Sequence, residues 1–343
     1  MSGLRRGARE SLGPRRGARR FAWRFDVSAD LDLPGAHEIA VDLVTPADAG
    51  EAARRPLLCC LPGGSLSRRY HDLDLDGDRR YSFAEFMAAR GFATLAFDHL
   101  GTGASSRPAG DNALDPDRVA AANQSALAQA LARLRAGGAE PDLPALAPRA
   151  TIGVGHSMGS CLTVVQQARS APHAALVLFS FTTQGLPHFL TDAEKRFAGD
   201  PDGVRAHLAA LVQARFGTFE PDPPRGEGSE AAYGVGTAPP ESRRALRAAA
   251  TNLAAGPGLL SMIPGAYARE AAAVGVPVFL AVGDHDLHGP EHASAEFPAA
   301  PEVVAYTLPD AWHCHHVANT RERLWARVAG WIAEVAPDPG AAG

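Results

Sequence analysis

The chain has 343 residues, 46% of them hydrophobic and 21% charged, with a formal net charge of -5. That size and apolar content suffice for a large buried core, either one domain or a core with an inserted subdomain. The mild acidity gives no electrostatic ground for a nucleic-acid partner, and no window approaches the roughly 20 consecutive apolar residues of a membrane span.

The chain opens on Arg5, Arg6, Arg9, Arg15, Arg16, Arg19 and Arg20, interrupted by glycines. A secretory or twin-arginine leader places an apolar run after its basic residues, and the following FAWRFDVSAD is not one. Residues 1–20 are therefore expected to be a disordered, solvated tail. Next, FAWRFDVSA and HEIAVDLVTP alternate apolar and polar residues, as an antiparallel edge of a sheet would. Continuous apolar runs follow: PLLCCLP (56–62), FATLAFD (92–98), ATIGVGHS (150–157), AALVLFSF (174–181), VPVFLAVGD (276–284) and EVVAYTLP (302–309). Runs of that kind suit strands covered on both faces. Adjacent Cys59 and Cys60 on the first of them point to opposite faces. With Cys161 and Cys314 they lack the spacing of a disulfide framework and fit buried free thiols in a reducing cytoplasm.

Between the first two runs lies DLDLDGDRRYSFAEF, residues 72–86, which begins like a calcium loop. Such a loop needs a bidentate glutamate at its twelfth position, and Phe83 stands there. Ser82 and Glu85 have instead the spacing of a capping box, opening a helix through FMAAR that stops at Gly91 in the left-handed conformation. Residues 72–78 become the polar loop that leads into it. Further helices are expected at 117–135, at 158–170 and at 321–336. Strands alternating with helices imply an α/β fold with a mostly parallel central sheet flanked by helices. Between residues 181 and 276 the strand rhythm gives way to DAEKRFAGDPDGVRAHLAALVQARF, ESRRALRAAATNL and a Pro- and Gly-rich loop. This predicts an inserted helical cap over 185–271, dividing the core into 21–184 and 272–338.

The strongest chemical signal is GHSMG, residues 155–159, directly after a predicted strand and before a predicted helix. A G-x-S-x-G pentapeptide in that context is a nucleophile elbow: a turn so tight that only small neighbours let the chains pass, leaving Ser157 exposed at the carboxyl end of the sheet. The plainer alternative is a strand-to-helix turn in which Ser157 only caps the helix. With these residues the chain resembles the α/β-hydrolase superfamily, in its serine esterase and lipase-like branch. The resemblance implies an acid after a late strand and a histidine after the last one. GDHD at 283–286 supplies Asp284 and Asp286, and the family's spacing favours Asp286. DAWHCHH at 310–316 supplies His313 as the best match and His315 as runner-up, with His316 starting the packing of a helix. Trp312 departs from the small residue that usually precedes the histidine. CLPGGS carries Pro62 where the family commonly has histidine; by position Gly64, with the amide of Met158, forms the oxyanion hole. DHLGTGASS at 98–106 matches the family's turn after its fourth strand, with Gly101 and Gly103 as turn residues, and lacks the third glycine of a dinucleotide fingerprint.

The implied activity is hydrolysis of a small hydrophobic carboxylic ester or lactone through an acyl-enzyme; Phe181, Leu186, Phe189, Phe216 and Met262 are offered as apolar lining, although for any one of them a place in the cap's own core is the more ordinary reading. A thioesterase or acyltransferase would use the same triad, and a non-hydrolytic binding protein could share the fold. Serine at the elbow, not aspartate, separates the chain from dehalogenases and epoxide hydrolases of that fold. No cofactor is implied, and His285, His288, His292 and their neighbours fit no tight zinc spacing.

Overall fold

The apolar runs form a single eight-stranded sheet in the order β1-β2-β4-β3-β5-β6-β7-β8. The strands are β1 (Arg19–Asp26), β2 (Glu38–Thr45), β3 (Leu57–Leu61), β4 (Thr94–Phe97), β5 (Thr151–His156), β6 (Ala175–Phe179), β7 (Val278–Gly283) and β8 (Val303–Leu308). The structure, a computed structural model, describes residues 17–108, 114–138, 140–141, 143–223, 234 and 236–336. β2 runs antiparallel to β1 and to β4, and all other pairs are parallel. Every residue of β3, β5, β6 and β7 is buried, as their unbroken hydrophobicity requires. The result is the expected α/β architecture, a mostly parallel sheet flanked by helices.

The first strand corrects one boundary. Arg19 and Arg20, expected in a disordered tail, pair with Thr45 and Val44 of β2. Arg20 is ordered by charge as well as by the ladder, since its Nε lies 2.8 Å from Asp72 and its Nη2 reaches Glu85. Residues 1–16 lie outside the described residues.

Helices in chain order are α1 (Ala49–Arg54), α2 (Phe83–Ala88), α3 (Pro116–Ala136), α4 (Met158–Ser170), α5 (Asp192–Lys195), α6 (Pro201–Ala206), α7 (Leu208–Phe216), α8 (Ser242–Ala249), α9 (Ala255–Leu260), α10 (Ala268–Ala272), α11 (Ala293–Glu296) and α12 (Arg321–Val335). Among the described residues none is long and apolar enough to cross a membrane. On one face of the sheet, α3 and α4 bury Leu127, Ala130, Leu162 and Val165 against strand residues such as Leu95 and Leu178. On the other, α2 and α12 bury Phe83, Met87, Trp325 and Val328 against Ile152, Val177 and Phe279. Cys59 joins the first layer and Cys60 the second, and all four cysteines are buried and free.

The chain steps from β3 outward to β4 and then back past β3 to β5. That reversal of strand order opens a crevice at the carboxyl ends of β3 and β5, the place where open α/β sheets receive ligands. Between β6 and β7 the chain inserts helices α5 to α10, and DAEKRFAGDPDGVRAHLAALVQARF is broken into α5, α6 and α7. Asp200 caps α6 by accepting from the Gly203 amide, and Pro201 occupies its first turn, so the chain restarts there instead of continuing one helix. α9 and α10 pack on α4, whereas α8 rests on the short 3-10 segments Arg68–Asp72 and His315–Val317.

The segment that resembles a calcium loop is held by arginines. Asp72 lies 3.1 Å from Arg79 in addition to its contact with Arg20, Asp74 lies 2.9 Å from Arg79, and Asp76 pairs with Arg244. Ser82 caps α2, accepting from the Glu85 amide at 2.8 Å, and Gly91 stops the chain at φ +83°. Only half of the expected capping box forms: the Ser82 amide donates to Arg79 O at 2.9 Å, because the Glu85 carboxylate is turned to Arg20.

Candidate active site

β5 ends at His156, and the next residue, Ser157, has φ 53° and ψ -121°. A side-chain-bearing residue held there costs on the order of 1–3 kcal/mol, which the surroundings must offset. They do so by fixing the turn from several sides. The Ser157 amide donates to Phe179 O at 2.8 Å, and the Ser160 hydroxyl donates to the same carbonyl at 2.9 Å. A Cβ on Gly159 would stand 2.3 Å from Leu61 O, and one on Gly155 would stand 2.4 Å from Ser160 Cα, so neither glycine admits a side chain. Ser157 makes no side-chain capping bond to α4. The capping alternative therefore leaves its hydroxyl unexplained.

Asp286 follows β7, and its side chain is buried. Its Oδ1 lies 2.7 Å from His313 Nδ1 and accepts from the Leu287 amide at 2.7 Å. Its Oδ2 accepts from the Ser180 hydroxyl and, at 3.3 Å, from the Gly283 amide, with His315 Nε2 at 3.4 Å. Burial pushes this carboxyl up, but His313 and then His315 outweigh burial and hold it well below the usual carboxylate range. Asp284 does something else. It accepts from the amides of Asp310 at 2.9 Å and Ala311 at 3.0 Å, fastening the turn after β8 to the end of β7.

The three histidines after β8 separate cleanly. The His313 ring is partly buried and lines a cavity of about 30 Å³ together with Ser157. His315 is fully buried and outside that lining. His316 is core: its ring stacks on Phe83 at 5.1 Å and its Nδ1 accepts from Trp325 Nε1 at 3.0 Å. Sequence reasoning missed His156, whose Nε2–H donates to the His313 carbonyl at 2.9 Å. Burial holds His156 well below its ordinary value, so it acts as a neutral donor that ties the histidine loop to the elbow. Its position inside GHSMG was the available signal. Ser180, at φ 54° after β6, was missed as well, and only the alignment of β6 beside β7 brings it to Asp286.

Of the expected apolar lining, Leu186 alone borders the cavity, with Thr182, Ser180 and Ser261 as polar neighbours. Phe181 is core, packed on Phe297 at 5.3 Å, because the residue after Ser180 turns back under the insertion. Phe189 is 55% exposed at the insertion's surface. Phe216 and Met262 sit at the margin of the hydrophobic layer under the insertion. Gly64 and Met158 are neighbours: a Cβ on Gly64 would lie 4.0 Å from Met158 Cβ and 2.8 Å from Leu253 Cδ1. Leu253 packs beside Gly64, and neither Gly64 nor Met158 borders the cavity. Among the described residues no three of His, Cys, Asp and Glu are arranged to hold a metal ion.

A family model described as the alpha/beta hydrolase family matches residues 57–327. No curated protein matches the chain. Similar solved structures include a thermophilic esterase from Thermogutta terrifontis with malate bound (16% identity, covering 91% of this chain and 99% of that one, TM-score 0.55). A putative aryl esterase from Burkholderia cenocepacia is similar at 16% identity, covering 91% of this chain and 99% of that one, with TM-score 0.54. The thioesterase domain from the curacin biosynthetic pathway is similar at 15% identity, covering 91% and 99%, with TM-score 0.54. At these identities the likeness is one of fold.

Proposed function

Because the chain belongs to the alpha/beta hydrolase family, we propose that it is a serine hydrolase that cleaves an uncharged carboxylic ester or lactone through an acyl-enzyme. The observation that carries this reading is the shared cavity of Ser157 and His313, with the other ring nitrogen of His313 2.7 Å from the buried Asp286 side chain. In the reaction His313 Nε2 takes the Ser157 proton as Oγ bonds to the substrate carbonyl carbon. The Gly64 and Met158 amides receive the oxyanion. His313 then returns the proton to the departing alkoxide, and water, activated by the same ring, releases the acid and regenerates Ser157. Asp286 stays ionised throughout, orienting His313 and stabilising its cation.

Among the described residues no Lys, Arg, Asp or Glu borders the cavity, which favours an uncharged acyl group. The test is labelling by a fluorophosphonate, read by intact mass. One adduct is expected on the wild type and none on Ser157→Ala; a folded wild type that takes no label overturns Ser157 as nucleophile. Turnover of an oxygen ester, a thioester and an amide with one shared short acyl group then reads the leaving group. Cleavage confined to the thioester would overturn the ester assignment and leave the nucleophile in place.

A further inference from the structure

We propose that His315 is a positioning residue for this site: a second imidazole, wholly buried, that donates through Nε2 to the oxygen of Asp286 opposite the one facing His313. The proposal rests on the reading of Ser157, His313 and Asp286 as the catalytic set.

His315 Nε2 lies 3.4 Å from Asp286 Oδ2, while His313 Nδ1 lies 2.7 Å from Oδ1. The carboxylate is thus held between two imidazoles, one at the cavity and one in the core. Among the described residues neither ring nitrogen of His315 makes a hydrogen bond, the 3.4 Å approach of Nε2 to Asp286 included, although the ring is fully buried. A buried polar ring without a partner is costly, and this carboxylate is the acceptor within reach. The other titratable groups around His315 are uncharged. His156, at 6.1 Å between ring centroids, and His316 are held neutral by burial. Tyr70 and Cys314 keep their protons for the same reason. Phe179 closes the remaining side at 5.8 Å. Among the described residues the one fixed charge that faces His315 is that of Asp286, joined by His313 when that ring takes a proton.

The chemical consequence concerns the base. A donor on Oδ2 draws charge away from the carboxylate and fixes its plane, so the His313 cation gains less from Asp286 than it would from an undivided carboxylate.

His315→Leu removes the donor at similar bulk, and His315→Gln restores one. Two readouts are needed: the acid limb of kcat/KM for an ester, and, without substrate, the titration midpoint of the His313 ring by NMR. In His315→Leu both are expected to move to higher pH by about half a unit or more, and in His315→Gln to return toward the wild type. Unmoved midpoints in a folded His315→Leu overturn the proposal. Should that variant not fold, the ring tautomer of His315 in the wild type decides: a proton on Nε2 supports the contact, and a proton on Nδ1 alone overturns it. The NMR readouts need no turnover, so a wild type that resists fluorophosphonate would defeat the reading of Ser157 without deciding the contact between His315 and Asp286.

Discussion

Two acidic turns of this chain look alike as text and differ as chemistry. GDHD after β7 and DLDLDGD before α2 both set aspartates close together beside a glycine at a bend. In the first, the Asp286 side chain is buried and faces the rings of His313 and His315. In the second, Asp72, Asp74 and Asp76 face Arg20, Arg79 and Arg244. A guanidinium keeps its proton at any ordinary pH, so the second turn can only be braced by its partners. An imidazole exchanges its proton near neutrality, so the first can support a reaction. The partner of an aspartate, more than the density of aspartates, separates a turn able to support proton transfer from one that is only braced.

The sharpest way to break that contrast is within GDHD itself. Asp286→Asn keeps the shape of the site and removes the charge beneath His313, and kcat/KM for an ester is expected to fall about 10³- to 10⁴-fold. Asp284→Asn loosens the bonds to the amides of Asp310 and Ala311 and is expected to lower kcat/KM by less than about tenfold, an effect of loop position alone. Equal losses in the two variants, or a larger one at Asp284, would place the acid at the wrong residue.

How far these roles could be read from the sequence follows from the range of the forces involved. The elbow was legible because its constraint is local: two glycines, a strand before and a helix after. The strands and α3, α4 and α12 were legible for the same reason, since burial on both faces or along one stripe leaves a periodic trace. Cavity lining was not. Phe181 and Leu186 are equally apolar in the sequence, and only the packing of the insertion sends one under Phe297 and the other to Ser157. Nor was the contact of Ser180 and His315 with Asp286, which joins residues from three separate strand ends. Arg20 escaped because its carboxylate partners stand more than fifty positions away.

A second contrast lies between the imidazoles of the two regions. His71 belongs to the 3-10 segment beside the acidic loop, yet its ring is buried among Tyr70, Phe83 and His316, and among the described residues no carboxylate pairs with it. Burial lowers it from 6.5 to about 4. Between those values the unfolded chain takes up a proton that the folded chain refuses. Its contribution is therefore complete above pH 6.5 and is lost as pH falls toward 4, amounting to about 3 kcal/mol. His173, lowered to about 3 by burial, steepens the same acid-side loss. Urea midpoints measured from pH 7 down to 4.5 should fall steadily, and His71→Phe should flatten the slope. A slope unchanged by that substitution would mean that His71 is protonated in the fold and belongs with the charged network of the loop.

The smallest expected effect tests whether the acidic loop is scaffold and nothing more. Ser82 links the loop to α2 by two bonds: its hydroxyl oxygen accepts from the Glu85 amide at 2.8 Å, and its proton goes to Asp72 Oδ1 at 2.5 Å. The comparable cap at Thr191 forms the complete box, with Glu194 returning to the Thr191 amide at 2.7 Å. At Ser82 the glutamate is engaged elsewhere, so the serine alone satisfies the first turn of α2. Ser82→Ala should therefore cost about 1 kcal/mol, the ordinary loss for a helix cap, and lower the thermal midpoint by about 2 °C for a chain of this size. Because Asp72 keeps Arg20 and Arg79, kcat/KM below the transition should stay at the wild-type value. A fall in kcat/KM without a matching fall in the thermal midpoint would show that the braced loop transmits to the cavity, and the division between the two acidic turns would no longer hold.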